Sequence, residues 1–107
     1  MNIAHLSSKL ALAAYALAGT GTIQERIVTA WEEAFARLTK KDIPVDLVPL
    51  YQEIDAEFKR INKLPDSPGL PQALLQLSDE QAVAVAETII LLSLECAKVR
   101  GMIYTQK

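Results

Sequence analysis

The sequence predicts an all-α fold, an antiparallel bundle of four main helices and one short one. Three observations carry that expectation. The chain holds 15 Ala and 15 Leu against 6 Val and 2 Phe, a bias toward strong helix formers and away from the β-branched and aromatic residues that fill strands. Its apolar residues recur at spacings of three and four. Two Ser/Thr-x-x-Glu/Gln signatures, Thr22 with Glu25 and Ser78 with Gln81, mark helix starts. A length of 107 residues with 4 Gly and 5 Pro fits one compact domain, residues 1–107.

The first helix carries Ile3, Leu6, Leu10, Ala13, Ala14 and Leu17 on one stripe. Its Lys9, followed by the apolar run 10–18 and a small-x-small ending, has some look of a secretory leader. The charge sits late, however, and five of the nine run residues are Ala, so the segment is read as a structural helix. Gly19-Thr20-Gly21 ends it, because glycine accepts left-handed backbone at low cost. The second helix starts at the Thr22 capping box and buries Ile23, Ile27, Ala30, Trp31, Ala34, Phe35 and Leu38, with Glu33 and Arg37 as a surface pair one turn apart.

Pro44 and Pro49 flank the start of the third helix, and Asp46 is placed to cap it. Leu47, Leu50, Tyr51, Ile54, Phe58 and Ile61 form its stripe. Residues 64–69 are dense in turn formers and are expected to be the longest and most mobile loop. A short helix over 70–77 leads to the last, over about 79–104, capped by Ser78 and Gln81. Glu80, Glu87, Glu95 and Lys98 occupy one narrow arc of that helix and apolar residues most of the rest, which predicts a central helix covered on several sides.

The chemistry-bearing residues are few. With 11 Lys+Arg against 13 Asp+Glu, the net charge of −2 lacks the broad basic footprint of a phosphate-binding protein. One Cys excludes an intrachain disulfide and a thiolate-rich zinc site. His5, the sole imidazole, lies opposite the apolar stripe of its helix, while Cys96 falls on the apolar side of the last helix, where a thiol packs as a small hydrophobe. The Glu-x-x-His signature of di-metal bundles does not occur. Gly19-Thr20-Gly21-Thr22 lacks the lysine of a phosphate loop and reads as a helix–helix turn. No catalytic, cofactor-binding or metal residue is assigned, and no cofactor is expected.

The anomaly is apolar surface. Leu12, Tyr15 and Ala16 lie off the main stripe of the first helix, and Ala84 and Leu91 interrupt the charged arc of the last. These five residues are the expected contact surface of a small, non-catalytic interaction or regulatory protein. The partner expected from the commonness of symmetric dimers is a second copy. Two alternatives come from other classes: a DNA-associated regulator using Lys59, Arg60 and Lys63, and a ligand-binding or enzymatic bundle centred on Glu87, with Arg26, Lys9 or a tyrosine as its partner. The run 82–94 is interrupted by Glu87 and too short to span a bilayer, and a free thiol suits a reducing compartment, so the expected location is the cytoplasm.

Overall fold

The computed structural model describes residues 2–63 and 69–105, with side chains as far as residue 101. It is an all-α antiparallel bundle: α1 (Ile3–Leu17), α2 (Ile23–Glu33), α3 (Val48–Asn62), the short α4 (Leu70–Leu75) and α5 (Asp79–Thr105), with no strand among the described residues. The turn-rich stretch expected over 64–69 lies, for residues 64–68, outside the described residues.

Local chemistry fixes three of the five helix starts. Asn2 Oδ1 accepts from the His5 N–H at 2.8 Å and caps α1. The tight turn before α2 uses Gly21 at φ 96°, where a side chain would be strained. At the start of α2, Thr22 Oγ1 accepts from the Glu25 N–H and Glu25 Oε1 accepts from the Thr22 N–H, both at 3.1 Å. Ser78 and Gln81 make the same reciprocal pair at α5, at 3.0 and 3.2 Å. Each box satisfies two N–H groups that a helix start leaves without partners.

Two ends differ from the sequence-based expectation. The second helix does not run through Leu38: it stops at Glu33, and Phe35–Arg37 continue as a turn of 3-10 helix. The turn rotates the chain so that Ala34, Phe35 and Leu38 are all buried despite the change of helix type, and it takes Arg37 off the helical spacing expected to pair it with Glu33. Asp46 does not cap the third helix. It lies within the 3-10 turn Val45–Leu47, and α3 starts behind Leu47 with no side-chain cap. Pro49 sits in the first turn instead, where its missing N–H costs nothing.

Long-range hydrogen bonds tie the helices together. Arg26 Nη1 donates to the Leu17 carbonyl at 2.7 Å, satisfying the C-terminal end of α1 from α2. Gln24 Nε2 donates to both Leu77 O and Asp79 Oδ1 at 2.8 Å, which fastens α2 to the junction of α4 and α5. Tyr51 Oη donates to Leu38 O at 3.2 Å, pinning the 3-10 segment to α3.

The buried side chains form one cluster drawn from all five helices. Phe35, Ile54 and Phe58, expected in the core, are buried, and so are Ile89 and Leu92 of α5. Phe35 and Phe58 meet edge to face, with ring centroids 5.8 Å apart. Trp31 packs against the cluster but stays half-buried, at the edge of a surface pocket that it shares with Phe35, Tyr51 and Phe58.

The expectation of a central last helix is corrected. Helices α1, α2 and α3 all pack on α5, yet it keeps an open side on which Val83, Ile90, Leu91 and Leu94 are exposed. The reason is length and supply. With 27 residues α5 is almost twice as long as the 15-residue α1 and α3, and among the described residues there is no further long helix to cover its remaining side.

Candidate functional site

Helix α5 carries two apolar stripes with the same periodicity. The buried one is Ala82, Val85, Ile89, Leu92 and Cys96, stepping by three and four, joined by Ala86. The second starts one residue later and is offset on average by between one and two residues, about 140° around the helix axis. It consists of Val83, Glu87, Ile90, Leu94, Ala97 and Gly101, and all six are exposed. The alternating steps of four and three are those of a coiled-coil seam, which keeps one line of side chains facing a neighbouring helix. Leu94 is 57 % exposed, Val83 45 % and Ile90 40 %, high values for aliphatic side chains aligned on one face. Leu91 (44 %) and Lys98 flank the seam on one side.

The five residues expected at an interface are placed as follows. Leu91 and Ala84 are exposed on α5, one position along from the seam residues Ile90 and Val83. Ala84 also lines a groove between α3 and α5. Leu12 and Tyr15 are exposed on α1, turned away from its buried stripe of Leu6, Leu10, Ala13 and Leu17. Ala16 is half-buried and packs against the core. Sequence reasoning expected all the apolar residues outside the charged arc of α5, which include Val83 and Ile90, to be covered, and so passed over the seam. Its signal was present as two heptad stripes starting one residue apart on a single helix.

The groove between α3 and α5 has a volume of about 270 Å³ and joins Ile54, Ala84 and Val85 to the carboxylates Glu53 and Glu57. Glu87 does not line it and is exposed on the seam. Arg26, one partner considered for Glu87, instead caps α1. The basic residues of α3 are compensated within their own helix. Lys59 Nζ lies 2.8 Å from Asp55 Oδ2, and Arg60 makes a two-pronged hydrogen bond to Glu57, which holds the Glu57 carboxyl below its ordinary range. Of the three, only Lys63 is without an acidic partner in these ion pairs, so the field that α3 offers a phosphate backbone is small.

The reactive groups are dispersed. His5 is exposed on the first turn of α1, whereas Cys96 is fully buried on α5 and burial pushes its thiol up, away from the thiolate that nucleophilic chemistry needs. Among the described residues no three His, Cys, Asp or Glu side chains are grouped to hold a metal ion, and no helix is long and apolar enough to cross a membrane. Comparison with family models, curated proteins and solved structures gives no match.

Proposed function

We propose that the protein works by binding, as a helical protein-interaction module whose partner is a second copy of itself. The open seam of α5 carries this reading. Three large aliphatic side chains in register on one helix face lie in water, and covering them with another helix would remove apolar area at a gain of roughly 25 cal/mol per Å². A symmetric pair is the simplest way to do so, because one surface then serves as both halves of the contact. Leu91 adjoins the seam on α5, and Leu12 and Tyr15 are further exposed apolar side chains, on α1. The reducing cytoplasm is the proposed setting, since the one thiol has no intrachain partner with which to form a disulfide.

Sedimentation equilibrium over the micromolar range tests the proposal. The wild type should show a monomer–dimer equilibrium. Leu94→Glu, which puts a charge in the middle of the seam and touches no buried position, should move the chain to monomer with an unchanged far-UV spectrum. A wild type that stays monomeric throughout that range sinks the reading.

A further inference from the structure

We infer that two copies pair α5 against α5 in antiparallel orientation, about a two-fold axis level with Leu92, so that Glu87 of each copy meets Lys98 of the other. The inference rests on the self-association proposed above and adds its geometry, which the residues along the seam decide.

A parallel, in-register pair would place every seam residue against its own copy. Glu87 would then face Glu87 inside an otherwise apolar line, two like charges drawn out of water with no counterion. Gly101 would face Gly101, leaving a gap in the contact. Reversing one helix about residue 92 changes both pairings. Position 83 then meets 101, 87 meets 97, and 90 meets 94. Val83 lies over Gly101, where an added Cβ would meet nothing within 4 Å, so there is room for a bulky neighbour. Glu87 lies over Ala97, whose small side chain lets the carboxylate pass toward the adjacent Lys98. The Lys98 ammonium is held 3.0 Å from Glu95 on the exposed side of the helix, with its side chain 70 % accessible, so it can take a second carboxylate. Ile90 and Leu94 interlock on either side of the axis, and Leu91 meets its own copy beside them. Each large side chain is thus set against another aliphatic or a small residue, and the one acid of the seam against a base.

The orientation is read by dipolar electron resonance on protein carrying a nitroxide at Val83→Cys. The buried Cys96 thiol remains unlabelled while the fold is intact. In the antiparallel pair, labels at position 83 are separated along the helix axes by about 27 Å, the rise over the 18 residues to position 101. In a parallel pair they would lie across one helix–helix contact, roughly 10 Å apart. Charge reversal gives a second readout, independent of the label. Glu87→Lys and Lys98→Glu should each weaken dimerisation by about tenfold, and the double variant should recover most of the loss. A dimer with the short distance, or with no recovery in the double variant, overturns the antiparallel pairing and leaves self-association standing. A chain that is monomeric before labelling overturns both.

Discussion

Helices α2 and α5 differ in how their outer faces are finished. The inner side of α2 is apolar, with Ile27 and Ala30 buried, and the other side shows Glu25, Thr29, Glu32 and Glu33 to water. Its start is closed by a capping box, and Gln24 ties it to the junction of α4 and α5. Nothing on that outer face asks for a partner. Helix α5 has an equally regular buried stripe but repeats the apolar pattern further round the helix, on a side left open among the described residues. A helix with one apolar stripe is satisfied by its own domain, whereas a second stripe has to be covered from outside or remain in contact with water. For this reason the proposed function is placed on α5.

The sharpest way to break this comparison uses two adjacent isoleucines. Ile89 is fully buried and Ile90 is 40 % exposed on the seam. Ile89→Ala should cost on the order of 2–5 kcal/mol in urea unfolding, through lost burial and the cavity left behind. Ile90→Ala, measured at a dilution where the chain is monomeric, should cost less than about 1 kcal/mol, since a surface substitution opens no cavity. Equal losses would mean that both stripes are core and that the open side of α5 is not a surface.

A smaller effect is expected at the start of α2. Thr22→Ala removes one half of the capping box and should lower stability by about 1 kcal/mol, with dimerisation unaffected. A change in the association constant would show that the outer side of α2, and not only α5, takes part in the contact.

The smallest effect concerns acid. Backbone N–H groups donating to Glu25 and Asp42, and the Arg60 guanidinium beside Glu57, hold these carboxyls below their ordinary 4.5, 3.8 and 4.5. A carboxyl whose folded value is depressed stabilises the fold above its unfolded value, and that contribution is lost as pH falls through the depressed one. The melting temperature should therefore hold from neutral pH to about 5 and decline below about 4, with small amplitude because the groups are exposed or nearly so. Glu25→Gln should flatten part of the decline. A melting temperature that rises on acidification would contradict the capping geometry.

Much of the fold was legible in the sequence because it is encoded locally. Thr22 with Glu25 and Ser78 with Gln81 set two helix starts through contacts three residues apart, and the 3.6-residue period of α1 and α3 identified their buried faces. Cys96 fell on the apolar side of α5, and it is buried. Where the outcome depended on neighbours, local reading failed. Extending α2 to Leu38 was reasonable by spacing, yet Ala34, Phe35 and Leu38 reach the core through a 3-10 turn whose end is held by Tyr51 from α3. Asp46 had the chemistry of a cap but not its position, because the chain enters α3 through another 3-10 turn.

Helix α5 draws the boundary most clearly. Its sequence determined by itself that the helix is long, capped at Ser78 and apolar on two adjacent lines, since each of these depends on residues within one or two turns of one another. It could not determine that the second line would stay uncovered. The stripes starting at Ala82 and Val83 have the same heptad spacing, and although Glu87 marks the second as the more polar, its Val83, Ile90 and Leu94 are as apolar as the residues of the first. Tertiary structure made that choice by packing α1, α2 and α3 against the first stripe, and among the described residues no long helix is left for the second. Burial is a property of what lies across the contact, and a periodic sequence specifies a face without specifying its neighbour.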